Sequence, residues 1–325
     1  MTVTISAPGK IHLLGEHMVV YGKPALLAAI DKRLYINIKN QSARQAQDKN
    51  SKIKNKEKII IISPEKDSLV RKIIEVFKNS YSINKLPPLE ITITSQIPVG
   101  CGLGSSAALS SSLIGALMKF VKNIWNPVQI NELSYEVEKF AHGHPSGADN
   151  TTVVFGGMVW FRREFDFLKS IWSLPPQNYH IPKFFLINSG KPLESTKEMV
   201  TQVNRLYNRN KKKIEEVFND QEKETKRLLV SLKEGNSGDL VSSIRQGERN
   251  LEKIEIVSSF AQKIIREIEE KGGAAKVCGA GGKKGRSGIL LCFHPSFSIL
   301  QKIAQKYETP IMPVQLGGEG IKIEQ

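Results

Sequence analysis

The 325-residue sequence has only three cysteines, Cys101, Cys278 and Cys292, at spacings that suit no metal site. Their odd number argues against a disulfide framework, and they read as small buried or half-buried thiols. No apolar run reaches the roughly 18 residues needed to cross a bilayer, and the start, MTVTISAPGK, lacks the charged region and apolar core of a signal peptide. A cytoplasmic protein with no membrane partner is therefore expected. Neither G-x-x-x-x-G-K-[ST] nor G-x-G-x-x-G occurs, which excludes two familiar kinds of phosphate loop. No repeat period is visible.

Positive charge, by contrast, is in excess: 47 Lys and Arg stand against 32 Asp and Glu, a formal net charge of +15. Such a balance suits nucleic acid, a membrane surface or small anionic ligands. Its location decides among them. Much of the excess lies in residues 49–66 (KNSKIKNKEKIIIISPEK) and 205–213 (RLYNRNKKK), polar runs without the interleaved aromatics of a single-strand binder. They read as solvated faces, and no nucleic-acid partner is expected. The 40% hydrophobic and 24% charged content is that of a globular protein, and the length favours two domains.

The most informative stretch is residues 98–117, PVGCGLGSSAALSSSLIGAL. Gly100, Gly102 and Gly104 permit turns and close approaches that a Cβ forbids. Ser105 and Ser106 are good helix starters before the small apolar residues that follow, and the alternating LEITIT of residues 89–94 reads as a half-buried strand. A strand, a glycine-rich loop and a helix in that order aim unpaired N–H groups and a helix dipole at one place. That suits a phosphate, with a serine hydroxyl able to reach a bound Mg²⁺. A turn capping a core helix is the simpler alternative.

Upstream, a short strand at residues 3–6 leads into APGKIHLLGEHMVVYGKPALLAAI (7–30), where Lys10, Glu16 and His17 stand among apolar residues as in a half-buried pocket wall. A surface lysine after a Pro-Gly turn and a backbone-bonded core histidine are the plainer readings. Strands are expected at 26–30, 35–38, 59–62 and 158–161, a helix at 69–79, and a mobile lysine-rich loop at 39–58. Ile130, Leu133, Val137 and Phe140 recur at helical spacing over 127–141, with Glu132, Glu136 and Glu138 on the other faces.

HGHPSGADNTTVVFGG (142–157) follows, in which Gly143, Pro145 and Gly147 break the helix and Ser146 with Asp149 has the S-x-x-D spacing of an N-terminal box. The box accounts for Asp149 without any function, yet a carboxylate fixed at a helix start is also how a base is held. PPQNYHIP (175–182) marks a boundary between domains 1–180 and 181–325. Beyond it come a buried strand at 184–187, the polar turn NSGKPLEST (188–196), long helices broken near 235–238, and CGAGGKKGRSG (278–288). A strand at 289–293, a helix at 296–307 and short strands near 311–314 and 321–323 complete an α+β layer.

APGKIHLLGEHMVVYGKPAL, PVGCGLGSSAAL and KVCGAGGKKGRSGILLCF together resemble, in order and separation, the three motifs of the superfamily that contains galactokinase, homoserine kinase, mevalonate kinase and phosphomevalonate kinase. Within it, the first motif, HGHPSGADNT and STKEMV (195–200) are similar to the mevalonate kinases more than to their relatives. The resemblance implies a left-handed βαβ, ribosomal S5 domain 2-like, N-terminal domain and a ferredoxin-like C-terminal one, with the nucleotide between them. It implies ATP-dependent phosphorylation of the primary hydroxyl of mevalonate, with Mg²⁺ as cofactor, mevalonate and ATP as the small-molecule partners, and a homodimer left open.

Residue by residue, the resemblance makes Asp149 the proton acceptor and Lys10 its charged neighbour. Ser106, with Ser105 as a second candidate, and Glu138 would hold the metal. Pro98, Val99, Gly100, Cys101, Gly102, Leu103, Gly104, Ser105, Ser106, Ala107 and Ala108 form the ATP phosphate loop. Glu16, His17, Thr196 and Gly281 would join Lys10 and Asp149 at the substrate, with Arg163 or Arg162 meeting its carboxylate. The third motif departs from the family's GAGGGG, since Gly282 is followed by Lys283 and Lys284, with Arg286 beyond, so its loop must differ in shape. A sibling kinase for phosphomevalonate, homoserine or a sugar, an ATP-dependent decarboxylase of the same fold, and a basic nucleic-acid-binding protein are the alternatives.

Overall fold

The computed structural model describes residues 2–40, 59–62, 67–142, 145–165 and 167–324. The expected lysine-rich loop falls, beyond residue 40, outside them, as do Gly143 and most of the 49–66 charge run. Two sheets organise the chain. The first takes β1 (Thr2–Leu14), β2 (Ala25–Asn40), β3 (Ile59–Ile62), β4 (Leu89–Ser95), β5 (Met158–Arg163) and β6 (Lys169–Leu174). β11 (Lys322–Glu324) joins it at the edge of β1, so the order is β11-β1-β2-β4-β3, with β5 bridging β2 and β6. The end of the chain was expected to complete the second layer; instead β11 pairs antiparallel with β1.

Strand β1 does not stop at residue 6 but runs on into the first motif as far as Leu14. Ala7 to Leu14 are buried on both faces, because helices cover the sheet on either side. β2 is likewise one long strand where two short ones were expected. β6 was missed altogether: KSIWSL lies at an edge with Ile171 and Trp172 exposed, so no inward alternation marks it. α1 (Asp67–Ser80) connects β3 to β4, which pair in parallel. α2 (Ser105–Leu117) has no charged residue and is buried from Ala107 onward, as a helix apolar all round must be. α3 (Pro127–His142) and α4 (Ala148–Phe155) pack against it.

The second sheet is built from β7 (Phe184–Asn188), β8 (Ala274–Val277), β9 (Ile289–Phe293) and β10 (Ile311–Val314) in the order β10-β7-β9-β8, antiparallel throughout. α9 (Phe297–Lys306) joins β9 to β10, and the helical crossover from β7 to β8 gives this half the ferredoxin-like strand order. That crossover holds α5 (Thr196–Arg209), α6 (Lys211–Glu234), α7 (Ser237–Lys253) and α8 (Ser259–Glu270), two more breaks than the sequence suggested. One falls at Asn210, which leaves the helical region between α5 and α6, and the other where Glu255 takes a positive φ of 60°. Arg205, Arg209 and Lys211 to Lys213 face solvent, as expected of that charge run. All three cysteines are free and buried, and among the described residues no helix is long and apolar enough to cross a membrane.

Candidate active site

Lys10 and His12 stand two residues apart on β1 and so share a face of the sheet. Register shifts against β2 flank them, between Pro8 and Lys10 and between His12 and Leu14, and such irregularities re-aim side chains. Both reach Asp149: Lys10 Nζ lies 3.0 Å from Oδ2, and His12 Nε2 lies 3.1 Å from Oδ1.

Asp149 sits in the first turn of α4, but the anticipated S-x-x-D box does not form. Gly147, at φ 90°, is the N-cap, and the Ser146 hydroxyl accepts the Ala148 N–H at 3.1 Å. The left-handed glycine moves the helix start past Ser146, which leaves the Asp149 carboxylate to the strand beneath it.

The glycine-rich loop closes against the same place. Lys10 N–H donates to the Leu103 carbonyl at 2.9 Å, and a Cβ on Gly104 would come within 2.7 Å of the Lys10 side chain. Gly104 is also the left-handed N-cap of α2 and supplies no side-chain cap, so the first turn opens toward the cavity without one. A Cβ on Gly102 would collide with the Cys278 carbonyl, and Ile289 N–H donates to the Cys101 carbonyl at 3.1 Å. The first, second and third motifs therefore meet, although more than 170 residues separate Gly102 from Cys278 in the chain.

Between them opens a cavity of about 600 Å³. Of the residues anticipated for it, Lys10, Glu16, His17, Val99, Gly100, Cys101, Gly102, Gly104, Ser105, Ser106, Glu138, Asp149, Thr196 and Gly281 line it. Pro98, Leu103, Ala107 and Ala108 do not; Leu103, Ala107 and Ala108 are core residues that support the loop from behind. Arg162 and Arg163 do not reach it either. Both lie at the end of β5, which pairs with β6 there, and Arg162 is turned toward Glu164 and Glu222.

Glu16 touches the cavity, yet its carboxylate is ion-paired with Lys276, whose side chain is fully buried. Lys276 Nζ also donates to the carbonyls of His12, at 3.1 Å, and Val277, at 2.7 Å. Burial alone would lower the Lys276 pKa, but the Glu16 charge outweighs it and the pKa is raised. Behind this pair, Glu248 accepts the Val277 N–H at 2.9 Å, and burial pushes its carboxyl well above the ordinary range.

At Asp149 the balance runs the other way. Packing would raise its pKa, but the Lys10 charge and the His12 hydrogen bond prevail and hold it well below the usual carboxylate range. Burial holds both His12 and His17 below the ordinary imidazole value; His17 Nε2 lies 3.0 Å from the Ala280 carbonyl.

The departure in the third motif is absorbed at the surface. The positive φ values fall on Gly281 and Gly285, not on the lysines. Lys283 pairs with Glu255, Lys284 N–H donates to Glu194 at 3.0 Å, and the Arg286 guanidinium stacks 3.5 Å from the Phe260 ring centroid.

Three residues of the site were not singled out from sequence. His12 carried a signal, since K-x-H on a strand puts both side chains on one face. Lys191, in the polar NSGKPLEST turn, lines the cavity over Gly100. Lys276, alone in the apolar AAKVC, had no visible partner at short range.

Comparison with known proteins places the chain in a family. Residues 68–157 match the model of the GHMP kinases N terminal domain, and residues 2–40 the galactokinase galactose-binding signature. The chain is 34% identical to mevalonate kinase of Pyrococcus abyssi over 246 residues, 70% of either chain. It is 29% identical to that of Thermococcus gammatolerans over 100% of this chain and 99% of the other. The crystal structure of Methanococcus jannaschii mevalonate kinase shares the fold with a TM-score of 0.80 at 22% identity, covering 98% of this chain and 99% of that one.

Proposed function

The chain belongs to the mevalonate kinases of the GHMP kinase family, and from that membership we propose that it transfers the terminal phosphoryl group of ATP to the primary hydroxyl of (R)-mevalonate, giving 5-phosphomevalonate and ADP. The observation that carries the reading is the Lys10–Asp149 pair, 3.0 Å apart in a cavity that the glycine-rich loop also lines.

Phosphoryl transfer asks for alignment and charge neutralisation more than covalent work. An alkyl hydroxyl does not ionise alone at neutral pH, so a carboxylate must take its proton. Asp149, held ionised beside Lys10, is placed to accept that proton. Lys10 offers its charge to the reacting oxygen and the phosphoryl group. The uncapped first turn of α2, at Ser105 and Ser106, suits the phosphates, and Lys191 adds a cation from the second half of the molecule.

Mg²⁺ with a nucleotide commonly takes one or two carboxylates, leaving phosphates and water to complete its shell. Among the described residues no group of three or more His, Cys, Asp and Glu side chains converges on a metal position. Glu138, 2% exposed, and Ser106 share the cavity and fit such a sparse donor set. The bound ion supplies neutralisation of phosphate charge. Cytoplasmic location is supported by the three buried free thiols.

The test is ADP release over a panel of mevalonate, phosphomevalonate, homoserine and galactose, with and without Mg²⁺. Mevalonate should lead in kcat/KM by about 100-fold or more, since a site built for one polar substrate rejects the others strongly. A lead for another alcohol would assign a sibling kinase, and carbon dioxide release from diphosphomevalonate, added as a fifth substrate, would assign the decarboxylase.

A further inference from the structure

His12 is the one side chain on Asp149 that the reaction above leaves without a task. It is 5% exposed, and its Nε2 meets Asp149 Oδ1 at 3.1 Å while Lys10 holds Oδ2 at 3.0 Å. An ionised carboxylate only accepts, so Nε2 must carry the hydrogen. In the neutral ring, which burial favours, Nδ1 is then a bare acceptor. It is buried and has no hydrogen-bond partner among the described residues, so the imidazole is committed to Asp149 alone.

We propose that His12 is a positioning residue: a neutral imidazole whose Nε2–H fixes the plane of the Asp149 carboxylate so that a free lone pair faces the substrate hydroxyl. The inference rests on Asp149 being the proton acceptor. A carboxylate held at one oxygen pivots about its Cβ–Cγ bond, whereas donors on both oxygens stop that rotation. The local cap that would have restrained Asp149 is absent, since Ser146 bonds Ala148 instead. Restraint therefore comes from β1. Lys10 is a flexible point charge on a four-carbon stem, but an imidazole has two torsions and one directed N–H. The backbone beneath it is fixed too, because the buried Lys276 donates to the His12 carbonyl at 3.1 Å.

Two measurements test this. Long-range ¹H–¹⁵N correlation on histidine-labelled protein, with the His12 signal assigned from its loss in His12→Gln, should show the neutral Nε2–H tautomer at pH 7. A neutral Nδ1–H tautomer or an imidazolium would overturn the proposal, whatever the substrate proves to be.

Kinetically, His12→Leu should lower kcat by about 10- to 100-fold with both KM values little changed, as expected of a misaimed reacting group. His12→Gln, whose amide nitrogen can occupy the Nε2 position, should recover most of that loss, and His12→Asn, too short to reach, should not. Leu or Asn near wild-type turnover would overturn the proposal. So would Gln as slow as Leu, which would make the imidazole a proton carrier. The ratios are taken on whichever alcohol the wild type phosphorylates, so failure with mevalonate counts against the substrate reading and not against His12.

Discussion

Lys10 with Asp149 and Lys276 with Glu16 are both lysine–carboxylate pairs tied to β1 and the turn after it, yet the first leaves its carboxylate side chain 36% accessible and the second only 1%. In the sealed pair the Glu16 carboxylate is almost shut off from water and is tied to the buried Lys276, and this ion pair holds the first motif to the second sheet. In the open pair the lysine and a histidine fix the carboxylate while its remaining lone pairs face the cavity. Identical charges thus become architecture or chemistry according to which side water and substrate can reach. A third pair of the same kind, Lys283 with Glu255, stands outside both, with side chains 51% and 43% accessible.

Breaking the sealed pair should cost the most stability. Lys276→Met leaves Glu16 in the core without its partner and should lower the free energy of unfolding by about 3–5 kcal/mol. Adding Glu16→Gln should restore most of it, because no buried charge is then left uncompensated. Urea denaturation of the single and double variants measures both, and a single variant within about 1 kcal/mol of wild type would remove the distinction.

For the open pair the smaller effect is one of pH. The Asp149 pKa is depressed on folding, so its contribution to stability is complete above the unfolded value of about 3.9 and is lost as pH falls through the folded one. The stability gap between wild type and Asp149→Asn should stay level from neutral pH to about pH 5 and close only in acid below that unfolded value. A gap that closes near neutrality would contradict the assigned direction. Smallest of all, Lys283→Ala should change unfolding free energy by less than about 1 kcal/mol, as exposed pairs do, with an effect that shrinks further in salt.

How much of this was legible in the sequence follows from the range over which each feature is determined. The glycine-rich loop and α2 are local: Gly104 caps, the small apolar run packs, and both are written in consecutive residues. Asp149 and Lys10 could be nominated singly, but their meeting depends on a strand continuing through a Pro-Gly pair that reads as a turn. The S-x-x-D spacing at Ser146 suggested a cap, and Gly147, free to turn left-handed, defeated it. Lys276 could not be read at all, since its partner Glu16 lies 260 residues away and a lysine in a buried strand makes sense only with that partner. The pairing of β11 with β1 is hidden for the same reason. Arg162 and Arg163 were nominated by position after a strand, but neither lines the cavity, and Arg162 is turned toward Glu164 and Glu222.

The central claim is that the open carboxylate takes the proton of a phosphorylated alcohol. Single-turnover transfer of the terminal phosphoryl group from ATP to mevalonate, in the presence of Mg²⁺, tests it most directly when wild type and Asp149→Asn are compared at saturating substrates. The expected result is a transfer rate about 100-fold or more lower in the variant, the contribution of a positioned base. A rate within about threefold of wild type, in a variant that still folds and binds nucleotide, would contradict it.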